Sequence, residues 1–200
     1  MFNRLRYLIE LSHSHRIARR YFVTNGFDGV LAMLGLLMGF RVSADISIEI
    51  MISACAGTAV ALFMSGLSSA YISEAAEKQH ELQELERSMV TSLEDSAHAE
   101  AARLMPWLIA LVNGLSPLLL AILILLPLFI ARQQLWPELL LSVAPLDLAI
   151  IVALLLTFLL GVFLGRLSGR FWLRTGIRSL LIAVMTAVII LLLHQLMAPV

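Results

Sequence analysis

The sequence predicts an all-α fold: a polytopic membrane protein with five transmembrane helices, the second extended into an acidic cytoplasmic helical segment. Three observations predict it. Of the 200 residues, 60% are hydrophobic and only 14% charged, with a mean hydropathy of +0.92, a balance that no water-soluble domain carries. Five separate apolar stretches reach the roughly 20 residues that a membrane span needs. The polar residues are gathered rather than scattered, above all in Tyr71 to Glu100, which holds eight acids against the two bases Lys78 and Arg87.

The elements follow in order. Residues 1–21 are basic and amphipathic, with no long apolar core and no small-residue cleavage site, so no cleaved signal peptide is expected. They read as an interfacial helix with Leu5, Leu8, Ile9 and Ile17 toward lipid and the arginines toward headgroups, and with His13 and His15 as plain polar residues. The spans are Phe22 to Phe40, Ile46 to Ser73, Leu104 to Ala131, Leu146 to Leu164 and Phe171 to Met197. This divides the chain into 1–21, spans one and two over 22–73, an acidic segment over 74–103, and spans three to five over 104–200. Pro106, Pro117 and Pro127 are expected to bend or interrupt the third span. Twelve of the fourteen basic residues fall on the N-terminus, the acidic segment with Arg103, and the loop between spans four and five. Only Arg41 and Arg132 fall on the other side. The bias places the N-terminus and the acidic segment inside and the C-terminus outside.

Within the acidic segment Glu74, Glu77, Glu81 and Glu84 fall within an arc of roughly 80° on a helix turning about 100° per residue. Such a stripe repels itself and calls for a compensating cation, either a metal or the basic groups of a partner. The plainer alternative is a solvated helix face. His80, flanked by Glu77 and Glu84, and His98 join it either as ligands or as solvated residues.

Polar groups inside the spans are the other candidates, because lipid makes them expensive. Asp28 lies about two turns into the first span, with Asn25 three residues earlier on the same face. Asn113 and Ser116 sit in the third span, in LVNGLSPLLL, and Pro117 frees a backbone carbonyl one turn earlier, near Asn113. Ser65, Ser68, Ser69 and Met64 close the second span. Together these groups suggest a polar site of oxygen ligands, the kind that suits Mg, Ca or Mn, with Met or His moving the preference toward Fe. Against this stand an Asp28 that snorkels to the headgroups and serines that bond their own helix. Gly35, Gly39, Gly161 and Gly165 read as helix packing, Cys55 as a small buried hydrophobe, and His194, Asp45, Glu49, Glu138 and Asp147 as residues of the outer boundary. No phosphate-binding loop, Walker lysine, HExxH or nucleophile with a partner base is present. ATP-driven transport, hydrolase chemistry and a nucleic-acid partner therefore have no support.

RRYFVTNGFDGVLAMLGLLMG resembles the first helix of the vacuolar iron transporter family, with its Asp-Gly pair after a short polar stretch. GTAVALFMSGLSSAYISEAAEKQHELQELE resembles that family's second helix, where small residues lead through a Tyr into a Glu-rich cytoplasmic extension. NGLSPLL is similar to the short prokaryotic branch. The resemblance implies a homodimeric, non-enzymatic exporter of Fe²⁺ or Mn²⁺ in exchange for protons, set in a prokaryotic inner membrane. The metal would be substrate, with no cofactor. Asp28 takes the family's membrane role, with Asn25 and Asn113 assisting. Glu74, Glu77, Glu81 and Glu84 take the metal-gathering role, followed by Glu94. One departure stands out: the family commonly has a Met five residues before the second-helix Tyr, and here that position is Gly66, with Met64 about 160° round the helix. The competing expectations are a membrane-anchored interaction protein whose acidic helix binds a basic partner and, with least support, an intramembrane metal enzyme.

Overall fold

The computed structural model describes residues 14–43, 46–135, 143–169 and 171–197. Among them the chain is all-helical: α1 Ser14–Val42, α2 Ile48–Met89, α3 Ala97–Arg132, α4 Pro145–Leu167 and α5 Trp172–Met197. All five are long and apolar enough to cross a membrane. The N-terminal expectations for Leu5, Leu8, Ile9 and His13, and those for Asp45 and Glu138, lie outside the described residues.

Local chemistry sets the helix ends. α2 has 42 residues, about 63 Å at a rise of about 1.5 Å per residue and roughly twice a hydrocarbon core. It closes with the Thr91 amide on the Glu86 carbonyl at 3.3 Å while Val90 takes a left-handed φ of 53°, the six-to-one closure of a Schellman motif. The Leu93 amide then donates to Glu86 Oε1 at 2.9 Å. Ser96 starts α3 as its N-cap, accepting from the Ala99 amide at 3.3 Å. The acidic stretch is thus divided between the end of α2, a connection carrying Glu94 and Asp95, and the start of α3. Pro145 sits in the first turn of α4, where its missing N–H costs nothing.

The three prolines of the third span do not interrupt it: α3 is one helix from Ala97 to Arg132. Pro106 and Pro117 are fully buried there. In a span, the carbonyls that a proline frees find other donors, so the helix continues.

The chain forms two compact units, 1–25 with 62–116, and 26–61 with 117–200. The breaks fall inside α1, α2 and α3, so these helices contribute to both. In the first unit Val23, Ala70, Ala99, Met105 and Ile109 are buried. In the second, Val30, Met33, Leu34, Leu37, Cys55, Ile124, Leu128, Ala149 and Ala153 are buried. There α4 and α5 pack closely through small residues. A Cβ on Gly161 would lie 2.6 Å from Ser179 Cβ and 3.0 Å from Gly176 Cα, so only glycine allows this approach. Gly39, by contrast, meets nothing within 4 Å, so the packing expected of it is not made among the described residues. Arg41 Nε donates to Asp147 Oδ1 at 2.7 Å, so Asp147 forms an exposed ion pair. Leu181, Met185, Ile189 and Leu192 on α5 are exposed, as expected of side chains that face lipid.

Candidate functional site: an asparagine knot with a free acceptor

Three helices of the first unit are tied together by two asparagines. Asn25 on α1 donates from Nδ2 to the backbone carbonyl of Asn113 on α3 at 2.7 Å. Asn113 donates from its own Nδ2 to the Gly66 carbonyl on α2, also at 2.7 Å. Ser116 Oγ, one turn along α3, donates to the Phe22 carbonyl of α1. The sequence explains why the Asn113 carbonyl is available. Its ordinary intrahelical donor would be the amide of residue 117, and that residue is a proline.

Gly66 is fixed by the same contacts. A Cβ there would collide with Asn25 Nδ2, and would lie 3.3 Å from Gly114 Cα and 3.4 Å from Asn113 Nδ2. A Met at this position would have to displace the knot. Met64 is half exposed and supplies no thioether in its place.

One atom of the knot is left over. Asn113 is only 4% exposed, and its Oδ1 is buried with no hydrogen-bond donor among the described residues. The orientation of the amide follows from its neighbour. The Gly66 carbonyl can only accept, so Nδ2 faces it and Oδ1 faces away. An acceptor buried without a donor costs about 1–3 kcal/mol, and the position is one where a cation, a water or a proton donor would be stabilised.

The other predicted residues fall differently. Asp28 belongs to the second unit and is exposed on the surface of the chain, which corrects the expectation of a buried carboxylate. It is three residues beyond Asn25 on α1, but the helix presents it outward. Ser68 and Ser69 bond the carbonyls of Met64 and Gly66 in their own helix, at 2.8 and 3.5 Å.

The acidic stripe is not bare. Glu74 is buried, and its carboxylate interacts with the Tyr21 side chain of α1. Lys78 is buried in the middle of the stripe, with Nζ 2.6 Å from Glu81 Oε2. Glu84 lies 3.5 Å from His80 Nε2, and Glu77 is exposed. Among the described residues no group of three or more His, Cys, Asp or Glu side chains converges as a metal ion requires. Sequence reasoning sought the compensating cation in a metal or a partner and overlooked Lys78. The signal was available, since Lys78 stands four residues after Glu74 and three before Glu81, both helical neighbours. The Gly66 carbonyl was also missed, because a backbone acceptor leaves no mark in a residue pattern.

Comparison with family models, characterised proteins and solved structures finds no match to this chain. The functional reading rests on the residues themselves.

Proposed function

We propose that the chain is a transporter of a divalent transition metal, Mn²⁺ or Fe²⁺, moving it out of the cytoplasm in exchange for protons. The observation that carries the reading is Asn113 Oδ1, a side-chain oxygen buried within the third span, held in orientation and without a donor among the described residues. A membrane protein that serves only as an anchor has no use for it. The resemblance to the vacuolar iron transporter family in 19–87 and around Asn113 supports the same reading.

In this proposal Asp28 supplies the charge. A carboxylate on the outward face of a span is expensive in lipid, and a second copy of the chain covering that face removes the expense, in keeping with a homodimer. Metal and proton compete for such a carboxylate, which is how exchange is coupled. With glycine in place of the thioether, the donors are oxygens, and oxygen donors favour Mn²⁺. Glu77 and Glu84, exposed on α2, gather metal on the cytoplasmic side, while Glu74 and Glu81 must first give up Tyr21 and Lys78. The arginine bias supports an N-terminus in the cytoplasm and a C-terminus outside, in the inner membrane of a prokaryote.

The test is flux into liposomes holding the purified protein and a pH-sensitive dye. Mn²⁺ should enter as protons leave, and Asp28→Asn should reduce both to background while the variant still inserts. Metal flux unchanged in Asp28→Asn would sink the assignment. The second reading, a membrane-anchored interaction module, is favoured by the exposed Glu77, Glu81 and Glu84 and by the lack of convergent metal ligands among the described residues. It expects no flux at all, and loss of a partner when those three charges are reversed.

A further inference from the structure

Within the first unit, the end of α2 and the start of α3 enclose an open hollow of about 580 Å³. This lies in the size range of small-molecule sites, about 300–1,000 Å³. Its composition is unusual for a gap between helices. One wall is aromatic: the Tyr71 and Trp107 rings lie 4.3 Å apart between centroids, tilted by 37°. The rest of the lining includes the carboxylates of Glu86 and Glu94, the guanidinium of Arg103 and the amides of Gln79 and Gln83. Glu86 Oε1 already accepts from the Leu93 amide, which holds that carboxylate in place and leaves its second oxygen for a ligand. Glu94 is exposed and lines a second hollow of about 400 Å³ together with Arg103.

Two carboxylates and one guanidinium in one hollow match a ligand that carries a cation and an anion together. The hollow opens from the seam where the apolar run of α2 ends, near Ser73, and that of α3 begins, at Leu104, and its lining runs outward along α2 as far as Glu86, about 20 Å at a rise of about 1.5 Å per residue. At that seam a half-exposed Trp is the usual mark of the headgroup layer. The two rings are stacked on each other and do not form a cage for a quaternary ammonium. The carboxylates and amide oxygens call instead for N–H donors. We propose that this hollow binds the zwitterionic headgroup of an aminophospholipid, with the phosphate on Arg103 and the primary ammonium on Glu86 and Glu94. The site is independent of the transport reading and stands if that reading fails.

Native mass spectrometry of the full-length protein in detergent tests it. The protein is offered equal amounts of phosphatidylethanolamine, phosphatidylcholine and phosphatidylglycerol with the same acyl chains. Phosphatidylethanolamine should be retained about tenfold over each of the others, as one charge-assisted hydrogen bond predicts. Glu94→Gln should bring it down to the phosphatidylcholine level. Glu86→Gln, which keeps an acceptor for Leu93, should do the same. Arg103→Gln should weaken all three lipids. Equal retention of the three lipids by the unaltered protein, or an unchanged preference in both Glu variants, overturns the proposal. Displacement of the lipid by chain-free glycerophosphoethanolamine at matched concentration would assign the hollow to a soluble amine and overturn it too.

Discussion

The knot of the first unit and the α4–α5 pair of the second use polar groups in opposite ways. In α4 and α5 each hydroxyl bonds a carbonyl of its own helix: Thr157 to Ala153 at 2.8 Å, Ser179 to Thr175 at 3.1 Å and Thr186 to Ile182 at 2.9 Å. The helices meet through glycines, and none of these three hydroxyls bonds the other helix. In the knot Asn25, Asn113 and Ser116 all reach across to another helix, and one oxygen remains unspent. Small-residue packing suffices to hold two spans together. Polar side chains that cross between spans cost more to place, which makes the knot the place to test for a role besides packing.

The largest expected effect breaks that contrast directly. Asn113→Leu removes the bond to Gly66 and the free oxygen while keeping the branching and the number of heavy atoms. Metal flux in liposomes should fall at least about a hundredfold, or about 2.7 kcal/mol in the barrier. Thr157→Val, the same kind of change where the hydroxyl bonds only its own helix, should change flux less than about twofold, since a back-bonded hydroxyl contributes little between helices. Equal losses in the two variants would mean that the knot is packing and nothing more.

A smaller effect runs the other way. Gly161→Val pushes a branched side chain into Ser179 and Gly176, and overpacking of this kind costs about 2 kcal/mol. Thermal unfolding in detergent should show the loss, whereas flux per folded molecule should hold. A variant that unfolds normally but transports poorly would place the pathway at α4–α5 instead.

Much of this contrast was legible in the sequence. Span number followed from apolar length alone, since no other arrangement hides five such stretches. The Pro117 logic near Asn113 was legible because a missing N–H is covalent fact. The α3 helix running through three prolines was not, because the donors that rescue freed carbonyls come from other helices. Asp28 was misjudged for a related reason: helical spacing from Asn25 says which residues share a face, but not whether that face turns inward. Lys78 was overlooked because a lone base among acids reads as composition until its burial is known.

The smallest expected effect lies at Val90, where α2 ends. A β-branched residue at a φ of 53° is strained by about 1–2 kcal/mol, and the Schellman closure that imposes this φ ordinarily takes glycine. Val90→Gly relieves the strain but gives the unfolded chain more freedom, at a cost of about 0.5–1 kcal/mol. The net expectation is a gain of about 0.5 kcal/mol, read as a rise of a degree or so in the unfolding midpoint, within about 2–4 °C per kcal/mol for a chain of this size. Flux should not move, because residue 90 is no part of the knot. Lower stability in Val90→Gly would mean that the left-handed φ costs the valine less than the added freedom costs the glycine. A change in flux at unchanged stability would carry the comparison further, by showing that the connection between α2 and α3 takes part in transport with the knot.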